Sequence, residues 1–146
     1  MTPQFAFIRR ILADRRGSVA LEFGLLGPLA IALMLGVLQV GIAMQSYNAI
    51  RNVSADVVRH TAIEYQVNNH LSDTQIEQWA LSTAINAPYL LQSEALDVNV
   101  ADASTQRVTG ATEKTMTISY QVPSILTLLG FASPSISFTR PIFVAS

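Results

Sequence analysis

From Phe23 to Ile50 the chain carries no charge, and the run FGLLGPLAIALMLGVLQVGIAM is dense in Leu, Ile, Val, Ala and Gly. A bilayer core is crossed by about 20 apolar residues, so this segment predicts one membrane-spanning helix with room for some tilt. A buried helix of a soluble core would carry a polar stripe over such a length, and this run lacks one. Pro28 has no N–H and presses on the carbonyl of Gly24, which predicts a bend. Beyond the apolar run, Tyr47, Ile50, Val53, Val57 and Thr61 recur at steps of three or four, with Arg51, Asp56, Arg59 and Glu64 elsewhere. The pattern reads as one long helix from about Ser18 to about Gln66. Residues 18–46 form its membrane half, and an amphipathic stalk follows.

"VNNH", Val67 to His70, ends that helix. A second one opens at "LSDTQI", with Ser72 as N-cap, Gln75 as its capping-box partner and Leu71 facing Ile76 as a hydrophobic staple. It runs to about Asn86, placing Trp79, Ala80 and Thr83 near the apolar face, with Pro88 beyond its end. The period then changes to two. Leu96, Val98 and Val100 alternate with Asp97, Asn99 and Ala101, and Met116, Ile118, Tyr120 and Val122 with Thr115, Thr117, Ser119 and Gln121. Ile136 and Phe138 alternate with Ser137 and Thr139, and the pattern weakens through Arg140 and Pro141. These predict three antiparallel strands, the first two joined by the turn-forming "ADASTQRVTGATE". Pro141 points to an edge position or an irregular end for the last strand. An apolar sheet face covering the outer half of the long helix gives an α+β head at 47–146. "PSILTLLGFASP", Pro123 to Pro134, is an apolar connection that either closes the core as a short helix or touches membrane or a neighbouring subunit.

Charge orients the predicted span. Arg9, Arg10, Arg15 and Arg16 precede Gly17 with only Asp14 against them, whereas acids outnumber bases from Arg51 onward. Positive flanks stay in the cytoplasm, so residues 1–17 read as a cytoplasmic leader and everything after about Tyr47 as extracytoplasmic. A cleaved secretory signal is a rival reading, but its apolar region would be shorter, and the passable small-residue site around Gly41 and Ala43 lies deep in the run. The chain has no cysteine, which removes disulfides and thiolate metal sites. No extended basic face is present, so nucleic acid is not an expected partner. Asp56, His60 and Glu64 stand at steps of four on one helical face, a spacing that belongs far more often to solvated pairs than to a metal site. "NVS" at Asn52 matches a glycosylation sequon on a helical stretch, and His70 sits in a polar loop with no partner residue in the pattern. No phosphate cradle, nucleophile motif or paired-carboxylate frame occurs, so no enzyme activity, cofactor or metal is expected.

One carboxylate departs from this scheme. Glu22 stands at the head of the apolar run, where an acid that goes deep and unpaired costs about 2–3 kcal/mol on insertion scales. Taken alone, it would sit at headgroup level beside Arg15 or Arg16. Its surroundings argue for more: basic residues, then Gly17, then a mostly apolar run whose fifth residue after the glycine is Glu22. This arrangement resembles the processing site of type IV pilins and pseudopilins. The stretch "RRGSVALEFGLLGPLAIALMLGVLQVG" is closer still to the TadE-like pseudopilins of Tad (Flp) pilus systems. Glu22-Phe23 resembles their acidic-aromatic pair, with Phe23 where Flp pilins often carry tyrosine, and Pro28 matches the family's proline. The resemblance is strong from Arg15 to roughly Ala62; beyond that it is one of length and general pattern.

The resemblance implies a bacterial inner-membrane protein whose head is periplasmic. It implies cleavage after Gly17 by a membrane prepilin peptidase, leaving Ser18 as the new N-terminus. The freed α-amino group, with a pKa of about 7.7–8.0, would pair with Glu22 of an adjacent subunit. The implied partners are membrane lipid, the peptidase, other pilins or pseudopilins and the pilus assembly machinery. The other reading left open by the residues is a single-pass anchor for an extracytoplasmic binding or adaptor domain, unprocessed, with Gly17 and Glu22 incidental.

Overall fold

The computed structural model describes residues 16–145. In chain order these form α1 (Arg16–Gln66), α2 (Asp73–Ile85), β1 (Leu96–Asp102), β2 (Ala111–Gln121) and β3 (Ser135–Ala145), with 3-10 turns at Ser93–Ala95 and Ile125–Leu129. The fold is α+β: a long N-terminal helix, a short second helix and a three-stranded antiparallel sheet of order β1-β2-β3. Two compact units meet at the Leu38–Gln39 bond.

Within the first unit, residues 17–38 are helical and mostly exposed. Val19, Leu21, Phe23, Leu25, Leu26 and Leu29 are each more than half exposed. Ile31 and Leu38 are also more than half exposed, and at about 100° of helical rotation per residue the eight positions together surround the helix, so the exposure is not one unfilled stripe. The helix is long and apolar enough to cross a membrane.

The second unit holds the core. Ile50, Val53 and Val57 of α1 are fully buried, as are Ile76, Ala80 and Ala84 of α2, and they join Val98, Met116, Ile118 and Ile142 of the sheet in one cluster. Thr61 completes the helical stripe and is buried, whereas Tyr47, at its other end, is 40% exposed and packs edge-on against Phe138. Register explains the sheet's inner face. Val98 pairs with Ile118 and Ile118 with Phe138, so the even-numbered positions of all three strands share one side. The expected capping box is present: Ser72 Oγ accepts from Gln75 N at 3.3 Å, and Ser72 N donates to Gln75 Oε1 at 2.8 Å. Leu71 and Ile76 both join the core, as a staple requires.

Two boundaries differ from the sequence pattern. The turn between the first two strands spans only 103–110, because β1 runs on to Asp102 and β2 begins at Ala111, four residues before Thr115. The missed residues Glu113 and Lys114 are charged but paired, so they extend the ladder while hiding the alternation. The last strand does not weaken at Arg140 and Pro141; it continues to Ala145, with Pro141 opposite Thr115. Pro141 is tolerated because β3 is an edge strand, as expected. At the opposite edge, Glu77 Oε1 of α2 accepts from Val100 N of β1 at 2.8 Å.

Candidate functional site

Gly17, Ser18, Glu22, Phe23 and Pro28 all lie on α1, starting in its first turn. Arg16 opens the helix, and Arg9, Arg10 and Arg15 lie outside the described residues. The i, i+4 spacing puts Ser18 and Glu22 on one face. Both are exposed, and Phe23 beside them is 78% exposed. Among the described residues no ion pair or side-chain hydrogen bond involves Glu22. A Cβ built on Gly17 or Gly24 meets nothing within 4 Å among the described residues, so these glycines are not demanded by packing inside the chain. Pro28 is contained within the helix and does not end it.

The polar groups of the second unit serve structure. The Asp56–His60–Glu64 face is dispersed among three partners. Tyr89 Oη donates to Asp56 Oδ2 at 2.7 Å, His60 stacks on Trp79 with centroids 4.1 Å apart and planes at 9°, and Glu64 Oε2 accepts from Asn69 Nδ2 at 2.6 Å. His60 Nε2 lies 3.8 Å from Glu64 Oε1. The hydrogen bond to Asp56, with burial and the carboxylate's charge added, raises the Tyr89 pKa above its ordinary value. No group of three His, Asp or Glu side chains among the described residues is arranged to hold a metal. His70 meets Tyr65 edge-on at 4.7 Å, and Asn52 is exposed on α1.

Two ion-pair knots tie the strands. The Glu113 side chain is only 4% exposed and accepts from Arg107 Nε at 2.8 Å; Arg107 Nη2 reaches the same carboxylate, and the guanidinium lies 5.5 Å from the centre of the Phe143 ring. Hydrogen bonding from Arg107 is the largest influence on Glu113 and, despite desolvation, holds its pKa below the ordinary 4.5. Lys114 Nζ lies 2.7 Å from both Asp73 Oδ1 and Asp102 Oδ1, joining β2 to the start of α2 and the end of β1. Burial pulls the Lys114 pKa down most strongly, but the two carboxylates together outweigh it and the net shift is upward.

A further contact lies inside the apolar run and escaped the sequence pattern. Gln39, 7% exposed, donates from Nε2 to the Pro123 carbonyl at 3.2 Å and accepts at Oε1 from Ile125 N at 3.1 Å. The segment it grips is the apolar connection, whose centre is the 3-10 turn Ile125–Leu129 capped by Ser124 and ended by Gly130 at φ 84°. That positive φ favours glycine. The turn does not bring the whole connection into the core: Phe131 is 62% exposed.

Residues 17–59 match the family model described as TadE-like protein. It is the family whose signature the residues around Gly17 and Glu22 resemble. No curated protein and no solved structure matches the chain. TadE-like proteins are structural components of pili rather than a family of enzymes, and the match indicates a pilin-like protein related to pilus assembly.

Proposed function

We propose that this TadE-like chain is a membrane-held pilin subunit that takes part in building Tad/Flp pili for surface attachment, after a prepilin peptidase cuts between Gly17 and Ser18. The arginines at 9, 10, 15 and 16 stay in the cytoplasm, residues 18–46 cross the bacterial inner membrane and 47–146 form a periplasmic head. The observation that carries this reading is the extent of the family match. It begins at Gly17 and takes in Glu22, Phe23 and Pro28, which are exposed among the described residues.

Each residue then has a task that needs a second molecule. Gly17, without a side chain, lets the backbone lie extended in a protease cleft. The cut exposes an α-amino group on Ser18 that is largely protonated at neutral pH. In a low-dielectric setting this cation and the Glu22 carboxylate of an adjacent subunit attract strongly, while desolvation offsets much of the gain. The pair therefore sets register between helices more than it adds stability. The bare glycines beside it permit close helix approach. Other pilins and the assembly machinery are the partners, with the peptidase acting first.

Mass spectrometry of the membrane-extracted protein tests the cut. A chain beginning at Ser18 is expected, and Gly17→Val is expected to leave the leader attached. Glu22→Ala is expected to be cleaved normally but to enter fibres poorly. An intact leader in cells that contain the peptidase would overturn the proposal and leave an anchored binding domain.

A further inference from the structure

We infer that the end of the α+β unit nearest the span is a lipid-docking surface, with the 123–134 connection and the Leu90 loop seated in the outer leaflet. The inference rests on α1 being a membrane span and goes beyond the pilin reading.

The argument starts at Gln39. Of the 18–46 segment, Ser18 through Leu38 are 21 residues, about 31 Å at 1.5 Å per residue, which matches a hydrocarbon core of about 30 Å and leaves 39–46 for the headgroup layer. The apolar run nevertheless continues to Met44, as though the span were longer. Gln39 interrupts it, and both ends of its amide are spent on the backbone at Pro123 and Ile125. The connection is thus fastened to the residue that directly follows a bilayer's length of helix. Phe131 N donates to Leu126 O at 3.2 Å, folding the exposed ring back beside the residue after Ile125. Leu90 belongs to the same end, because Ile42, Leu90 and Pro123 line one cleft. Leu90 is 71% and Phe131 62% exposed.

The charge pattern identifies lipid as the occupant. Between Glu77 and Glu94, and again between Lys114 and Arg140, the chain carries no charge, and these two stretches supply the Leu90 loop and the 123–134 connection. On α1 no charge occurs from Phe23 to Ile50. Every ion pair among the described residues involves the other stretches: His60–Glu64, Arg107–Glu113 and Lys114 with Asp73 and Asp102. Three segments distant in sequence therefore contribute one end poor in charge, where the carboxylate of Asp56 is engaged by Tyr89 Oη. An apolar groove of about 290 Å³, lined by Val40, Ala43, Met44, Tyr47, Asn48 and Ile136, lies along the part of the helix that follows Gln39. A tryptophan or tyrosine belt is the usual interfacial anchor; here Phe131 and Tyr47 fill that place.

The absence of cysteine makes the test direct. Single cysteines replace Phe131, Leu90, Leu33 and Val108, each an exposed apolar residue. They are spin-labelled on the full chain in vesicles of phosphatidylethanolamine and phosphatidylglycerol, and collisions with oxygen are compared with those with a water-soluble nickel chelate. Oxygen should dominate at 131 and 90 as at the in-span 33, and the chelate should dominate at 108. Chelate dominance at 131 and 90, with 33 in lipid, would overturn the docking surface while leaving the span intact. Chelate dominance at 33 as well would remove the span and the docking surface together. Shielding of 131 and 90 from both reagents would replace lipid with a neighbouring subunit, also overturning the proposal. Cleavage after Gly17 enters none of these outcomes.

Discussion

Glu113 is a carboxylate in a strand whose burial depends on one guanidinium, and its protonation state is coupled to folding. Its folded-state pKa is depressed, so its contribution is present above the unfolded value and is lost as pH falls through the folded one. Denaturation midpoints measured from about pH 6 down to about pH 3 should therefore fall more steeply for the parent than for Glu113→Gln, which has no such proton to take up. Equal slopes would show that the Arg107 pair does not carry the acid sensitivity. These residues also mark where a one-dimensional pattern stops being informative. Glu113 reads as turn and Lys114 falls outside the strand pattern because charge breaks an apolar alternation. Their partners, Arg107 in a loop and Asp73 on another element, become neighbours only after folding. Gln39 was hidden for the same reason: a lone amide in an apolar run has no local sign of the carbonyl it will meet 84 positions later.

The elements whose signals are local were legible. Ser72 and Gln75 stand three apart before an apolar run, so the capping box could be read directly, and Ser72→Ala should destabilise the protein by about 1 kcal/mol. Chemical denaturation monitored by far-ultraviolet circular dichroism checks this, and an unchanged midpoint would mean that the start of α2 is held by its packing alone. The stripe Ile50, Val53, Val57 and the even positions of β1 and β2 were equally readable, since burial acts with the periods of helix and strand. The end of β3 was less so: Arg140 occupies an inward-facing place in the register and Pro141 follows it, two residues that argue locally against a strand. On α1 the residues 17–28 stand out through their spacing and resemblance alone, because most of them are exposed and no burial period marks them.

For the whole molecule, α1 is at once long and apolar enough to cross a membrane and, in its outer part, a wall of the folded core. Ile50, Val53 and Val57 share a cluster with all three strands, so the sheet and the outer part of α1 should unfold together. Ile50→Ala is expected to cost about 2–5 kcal/mol through lost burial and a residual cavity. The midpoints reported by Trp79 fluorescence and by circular dichroism in detergent should shift in parallel. Separate shifts would mean that the helix and the sheet melt independently. One arrangement constrains how copies can associate. Glu77 occupies a backbone donor on the outer side of β1, and Pro141 withholds one in the middle of β3, so both flanks of the sheet are poor templates for another chain's strand. Polymerisation by strand exchange is disfavoured, so copies of this chain that associate must do so through surfaces other than the flanks of the sheet.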